Sequence, residues 1–170
     1  MTTAFLGLGS NLGDRVSNIR EAIDRLGRSG EIRVLRISSL YETAPVGFAE
    51  QPDFINAVAE IETSVQPLDL LHAILDIEKE MGRVRNIRWG PRVIDIDLLI
   101  YDEISIDLPE LVLPHPRMGE RAFVLAPLAE IAPNQRIGDG TTASEGLQRI
   151  EDQRVRRCAE TIECRFSDMK

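Results

Sequence analysis

The residues best able to do chemistry lie between Arg83 and Asp97, in the run R-V-R-N-I-R-W-G-P-R-V-I-D-I-D. Arg83, Arg85, Arg88 and Arg92 are crowded together, and Asp95 and Asp97 follow, one residue apart. Guanidinium groups stay charged at any relevant pH and fork onto phosphate oxygens. Two close carboxylates suit Mg²⁺, which is usually held by one or two carboxylates plus substrate phosphates and waters. In a chain of net charge -8, a basic island ending in a carboxylate pair points to a nucleoside triphosphate and its metal. Strand side chains alternate faces, so Asp95 and Asp97 share one face while Ile94, Ile96 and Leu98 point into the core. The bland reading is a solvated loop of ion-paired arginines beside two ordinary acids. The adjacency of the two groups argues against it. Arginines on a loop containing glycine and proline suit a segment that closes over polyphosphate. Trp89, the only tryptophan, either stacks on closure or simply packs.

Two further pieces are candidates. The loop from Thr43 to Asp53 is long for a strand-to-strand connection, as lids and binding loops are. Phe54 and Asn56 follow it on one strand face, a ring beside an amide that suits a flat polar heterocycle, though on its own a phenylalanine there is more often core. Pro114-His115-Pro116 holds a histidine in extended backbone, with Arg121 and Phe123 just beyond. That histidine either donates to phosphate or sits in a surface turn. His72, inside a helical pattern, has no partner signature and reads as structural. The run Gly7-Leu8-Gly9-Ser10-Asn11-Leu12-Gly13 is G-x-G-x-x-x-G and lacks the parallel β-α context of a dinucleotide site. No P-loop motif is present.

The elements that must position these residues follow from periodicity. Ala4 to Gly9 is a short apolar strand. Val16, Ile19, Ile23 and Leu26 mark a helix capped by Asn11 or Asp14 and ended by Gly27 or Gly30. Ile32 to Tyr41 and Phe54 to Ile61 read as strands. Pro67 opens a second helix that ends at Gly82, and Val93 to Tyr101 is a fourth strand. The order β-α-β-β-α-β predicts an α/β (α+β) ferredoxin-like core, a mainly antiparallel sheet with both helices on one face. Past Tyr101 the expected elements are strands near 104–106 and 111–113, a helix near 125–131, a helix around 143–150 and a strand near 155–166.

At 170 residues, 43% of them hydrophobic and 28% charged, the chain suits one domain spanning residues 1–170. The motifs fall in 4–133, with a charge-rich tail at 134–170. No apolar window is long enough for a membrane span, and the N-terminus lacks a secretory pattern. Cys158 and Cys164 read as reduced cysteines of a cytoplasmic protein. The acidic balance disfavours nucleic-acid binding.

Five ordered blocks carry a family resemblance: F-L-G-L-G-S-N-L-G-D, Y-E-T-A-P-V-G, Q-P-D-F-I-N-A-V, G-R-V-R-N-I-R-W-G-P-R-V-I-D-I-D-L-L and L-P-H-P-R-M-G-E-R-A-F-V-L-A-P-L. Together they resemble the 2-amino-4-hydroxy-6-hydroxymethyldihydropteridine pyrophosphokinase family. The resemblance implies transfer of pyrophosphate from ATP to the hydroxymethyl group of 6-hydroxymethyl-7,8-dihydropterin, leaving AMP, in folate biosynthesis. It implies that Asp95 and Asp97 hold two Mg²⁺ ions. Arg83 and Arg92 would then support transfer, with Arg85, Arg88 and Trp89 on the same loop. His115 and Arg121 would face ATP, and Leu98 would lie against the adenine. The pterin would stack between Phe54 and Phe123. Asn56, together with Thr43, Pro45 and Val46, would read its edge, Gly47 would help that loop turn, and Trp89 and Asp95 would border it. Leu75, Glu110 and Val112 replace polar or basic residues of some members, and Phe54 replaces a tyrosine. A monomer acting on small molecules, with no nucleic acid or membrane partner, is expected. The rival readings are an RNA-binding sheet of the same topology and a nonenzymatic nucleotide sensor.

Overall fold

The computed structural model describes residues 1–45, 50–82 and 92–163. The first apolar run forms β1 (Thr2–Ser10), followed by α1 (Arg15–Gly27), β2 (Ile32–Ile37), β3 (Tyr41–Thr43), β4 (Phe54–Thr63), α2 (Pro67–Glu80) and β5 (Asp95–Tyr101). Then come a small hairpin, β6 (Ile106–Asp107) with β7 (Val112–Leu113), and a 3-10 turn at Met118–Glu120. Two helices, α3 (Ala122–Ile131) and α4 (Ala143–Gln148), and a short strand, β8 (Val155–Arg157), complete it. The main sheet runs β5-β1-β4-β3-β8, with β2 also on β4, and every pairing in it is antiparallel. The mixed α/β class with a mainly antiparallel sheet is as expected.

Period-two patterning sorts the sheet into two faces. Ala4, Leu6 and Leu8 of β1, Ile55, Ala57 and Ile61 of β4, and Ile96 and Leu98 of β5 pack under α1 and α2. Those helices contribute Ile19, Ile23 and Leu26, and Leu70, Ile74 and Ile77. The opposite face carries Phe5, Val58 and Leu99, which pack against Val124, Leu125 and Leu128 of α3 and Ala143 of α4. The two core helices, α1 and α2, share one face as expected, and the C-terminal α3 and α4 add cover on the other. The second-face cover is partial. It ends where the apolar residues of that face give way to Gly7, Gly9, Asp95, Asp97 and Asn56.

Several local expectations are corrected by polar side chains. The strand expected over Ile32 to Tyr41 is split at Ser38–Leu40. Ser38 Oγ accepts from Val58 N at 2.9 Å, so a side chain takes a ladder position there. Leu40 turns fully inward and its carbonyl accepts from Cys158 N at 2.7 Å. Glu130 of α3 closes the gap, accepting from Ser39 N at 2.8 Å and from Tyr41 Oη at 2.7 Å. Burial pushes the Glu130 carboxyl up, but these donors outweigh it and hold the group below its ordinary value. Of the two candidate caps for α1, Asp14 acts: its Oδ1 accepts from Ser17 N at 3.1 Å. Gly82, at φ +84°, turns the chain out of α2 in the left-handed region that glycine favours. The last strand stops at Arg157 rather than reaching 166. Cys158 is a free thiol, and Cys164 lies outside the described residues. Among the described residues no helix is long and apolar enough to cross a membrane.

Candidate active site

The uncovered half of the second sheet face is the floor of a cleft of about 970 Å³. Register explains its shape. Asp95, Gly9 and Asn56 lie side by side across β5, β1 and β4, and Asp97 lies beside Gly7. Glycines at the alternate positions 7 and 9 of β1 leave bare backbone between the carboxylates on one side and the Asn56 amide on the other. A Cβ on Gly9 would stand 2.7 Å from Asn56 Oδ1, closer than atoms tolerate, whereas one on Gly7 would meet Leu99 at an ordinary 3.5 Å. The G-x-G of this run thus clears a sheet face. The dinucleotide use of this run is excluded by its context, and the two alternate glycines in a strand are the signal of this other one.

On the carboxylate side, Asp95 and Asp97 share the cleft face of β5 while Ile96 and Leu98 are buried beneath, as their spacing predicts. Arg92 Nη1 donates to Asp95 Oδ1 at 3.2 Å. Among the described residues no cluster of three or more metal-type ligands exists. Two carboxylate-bearing side chains over open backbone fit a hard cation that completes its shell with substrate oxygens and water. Behind β5, Glu78 of α2 is buried, and its Oε2 accepts from Ile96 N at 3.1 Å, the residue between the two aspartates.

On the amide side, Asn56 Nδ2 donates to Thr43 Oγ1 at 2.7 Å, and both residues are buried. This leaves Asn56 Oδ1 over Gly9. Pro45, Phe54 and Phe123 line the same end of the cleft with them. Arg121 sits with its guanidinium carbon 5.4 Å from the Phe123 ring centre, within cation–π range.

His115 joins the two sides. Its backbone N donates to Leu99 O at 2.8 Å and its Nδ1 accepts from Arg117 N at 3.2 Å. With Nδ1 an acceptor, the neutral ring carries its proton on Nε2. Burial, followed by the charges of Arg121 and Arg117, pushes its pKa down to about 4 against an opposing pull from Asp95. His72 meets Glu110 at 3.7 Å, both exposed. Leu98 borders the cleft beside Leu71, Leu75 and Val112, an apolar stretch at the β5 edge.

Asn11, considered only as a helix cap, has another task. It is almost fully buried. Its Oδ1 accepts from Arg92 N at 2.7 Å and its backbone N donates to Arg92 O at 3.1 Å. Its Nδ2 donates to Gln51 Oε1 at 2.8 Å and to Pro52 O at 3.1 Å. One side chain thus ties the far ends of both candidate loops. The tail also reaches the site: Asp152, Gln153, Arg154 and Val155 line the cleft, which no local pattern announced.

The structure brings Thr43, Pro45, Phe54, Asn56 and Phe123 into one cleft with Arg92, Asp95, Asp97, Leu98, His115 and Arg121. Val46, Gly47, Arg83, Arg85, Arg88 and Trp89 lie outside the described residues.

A family model described as 7,8-dihydro-6-hydroxymethylpterin-pyrophosphokinase (HPPK) matches residues 5–133. The chain is 48% identical over 143 residues to the 2-amino-4-hydroxy-6-hydroxymethyldihydropteridine pyrophosphokinase of Pseudomonas aeruginosa, covering 84% of this chain and 88% of that one. It is 47% identical over 157 residues to the protein of that name from Methylorubrum extorquens, covering 92% of this chain and 99% of that one. The crystal structure of Plasmodium falciparum HPPK-DHPS with pterin and p-hydroxybenzoate superposes with a TM-score of 0.67 at 18% identity. That likeness, which covers 86% of this chain and 41% of that larger one, speaks to the fold alone. A family match across most of the chain, and relatives close to half identical over nearly their full length, place the chain in the 7,8-dihydro-6-hydroxymethylpterin-pyrophosphokinase family.

Proposed function

We propose that this chain uses the cleft to transfer pyrophosphate from ATP to the hydroxymethyl group of 6-hydroxymethyl-7,8-dihydropterin. The hydroxyl oxygen forms a bond to the β-phosphorus. The bond from that phosphorus to the oxygen shared with the α-phosphate breaks, AMP leaves, and the hydroxyl proton is released. The observation that carries this reading is the bare Gly7–Gly9 floor, with Asp95 and Asp97 on one side and Asn56 on the other. It gives a polyphosphate and a flat acceptor adjoining places on one surface.

Asp95 and Asp97 would hold Mg²⁺, two ions in our reading, which when bound neutralise the triphosphate oxygens on which charge builds. Arg92, hydrogen-bonded to Asp95, and Arg121 add fixed positive charge beside them. Arg83, Arg85, Arg88 and Trp89, which fall between α2 and β5 in the sequence, are assigned to the nucleotide side. On the acceptor side, Asn56, held by Thr43, reads the edge of the pterin, and Phe54 and Phe123 take its faces. Pro45 lines the cleft beside them, and Val46 and Gly47 are assigned to the same acceptor side. Leu98, with Leu71 and Leu75, takes the adenine. We read residues 1–170 as one domain, acting as a cytoplasmic monomer. The order β5-β1-β4-β2, with α1 and α2 on one face, supports a ferredoxin-like reading of the core.

The decisive test is AMP release from ATP and Mg²⁺, run with and without the hydroxymethylpterin. We expect AMP only when the pterin is present, and pterin-independent hydrolysis or no AMP at all would refute the assignment. An RNA-binding role is disfavoured by β1, which presents Gly7 and Gly9 on the open part of the second sheet face where such sheets stack bases on aromatics.

His115 gives a pH-dependent signature. Its ring should titrate near pH 4 in the free protein, followed as an imidazole proton resonance. Bound triphosphate should move the midpoint upward, because added negative charge favours the protonated ring. Unfolding returns the group toward 6.5. The unfolded chain then binds the proton first as pH falls, so the stability His115 contributes above pH 6.5 is lost between about 6.5 and 4. A midpoint unmoved by ATP would remove His115 from the nucleotide side.

A further inference from the structure

We infer that Gln153, in the C-terminal segment, is a positioning residue for the transfer reaction, acting through Arg121. The inference rests on the cleft being the pyrophosphokinase site. Gln153 Nε2 donates to Glu120 O at 2.7 Å, and Gln153 Oε1 accepts from Ala122 N at 2.9 Å. These two backbone groups flank Arg121 on either side. Their chemistry fixes the amide orientation, since a carbonyl needs a donor and an N–H needs an acceptor. One carboxamide therefore spans Arg121 as a neighbouring strand would, pairing the residue before it and the residue after it.

The span falls where the chain has least support of its own. Arg121 is the single extended residue (φ -117°, ψ 106°) between the 3-10 turn and α3. It serves as N-cap of α3 without a side-chain cap bond, so the first N–H groups of that helix need an acceptor from elsewhere. Gln153 supplies one from 31 residues away in sequence. What hangs on this joint belongs to both substrates: Arg121 lies over Phe123 and is the largest charge influence on His115. A change in the Arg121 backbone would re-aim all three. The neighbours of Gln153 follow the same course, since Val155 pairs with Thr43 at the amide end of the cleft. The C-terminal segment is thus a wall of the acceptor end, held by a strand pairing on one side and by the Gln153 clamp on the other.

The test compares wild type with Gln153→Ala and Gln153→Glu in pterin-dependent AMP release, with melting temperature measured in parallel. Gln153→Ala removes both bonds and should lower kcat/KM for the pterin by about tenfold, a modest misplacement by the standard of reacting groups. The melting temperature should fall by no more than about 3 °C, as expected for one exposed residue. Gln153→Glu keeps an acceptor for Ala122 N but sets a carboxylate oxygen against Glu120 O, and should fall between the other two. A Gln153→Ala enzyme with wild-type kcat and KM would overturn the proposal. So would a loss fully recovered by assaying at lower temperature, which would mark a purely structural clip. If wild type itself releases no AMP, the pyrophosphokinase reading fails and this inference falls with it.

Discussion

Asp97→Ala should reduce pterin-dependent AMP release by about a thousandfold, on the order of 4 kcal/mol of transition-state stabilisation. Asp97 stands on the cleft face of β5, in register with Gly7 of β1. Its proposed task is to help hold the cation against which the phosphate charge grows, so its loss should appear in kcat and in the Mg²⁺ concentration needed for half-maximal rate. The fold should hardly notice. The core of β5 is supplied by Ile96, Leu98 and Leu99, all retained, and the melting temperature should stay within about 2 °C of wild type. A variant with near wild-type turnover would remove Asp97 from the reaction. One that lost activity only by unfolding would leave it a structural acid.

Gly9→Ala should strike the other half of the site. The new methyl group would lie 2.7 Å from Asn56 Oδ1, and the clash has no cheap release. Asn56 is buried and its amide is committed to Thr43 Oγ1. Turning it away breaks a buried hydrogen bond, at about 1–3 kcal/mol, and moves the group proposed to read the pterin. The Michaelis constant for the pterin should rise about a hundredfold, the larger end of that cost. ATP affinity, measured by calorimetry without pterin, should change by less than about twofold. Gly7→Ala is the control, since its methyl would meet Leu99 at 3.5 Å, and its effect on the pterin should be far smaller. Equal effects from the two substitutions would mean that Asn56 does not discriminate the acceptor.

The parts of this molecule that could be read in advance are those whose signal is local. The one-residue gap between Asp95 and Asp97 predicts their shared face, and the face is there. The apolar spacing of Ile19, Ile23 and Leu26 predicts α1, and these residues are buried beneath it. Failures cluster where a side chain substitutes for a backbone partner. Ser38 breaks the second strand through a bond to Val58, although Val34, Leu35, Ile37 and Leu40 continue an unbroken strand-like pattern. Asn11 and Asp14 look alike as caps, and only the distant Arg92, Gln51 and Pro52 show what Asn11 does. The covering of the second face was equally hidden: α3 packs on β4, whose Val58 alternates with Asn56 and Glu60, and the short helix at 143–148, weakly periodic, packs on α3. The tail is the extreme case. I-E-D-Q-R-V-R-R is charged and aperiodic, and Gln153 owes its place to bonds that cross 31 and 33 residues.

The position of β5 at the end of the sheet has a consequence for solubility. An edge strand offers unpaired N–H and C=O groups to any passing chain, and long, regular edges invite aggregation. The proposed function requires β5 to stay at the edge, since the cleft wraps around it. The strand is blunted without a further strand. Glu78 Oε2 occupies Ile96 N, a buried carboxylate standing where a foreign carbonyl would dock. One step along, β5 shifts register against Phe5 and Leu6, and the carbonyl of Leu99 is taken by His115 N. The bonds that hold the aspartate strand and the histidine in place also deny the edge to other copies of the chain. Replacing Glu78 would therefore threaten colloidal behaviour as well as turnover.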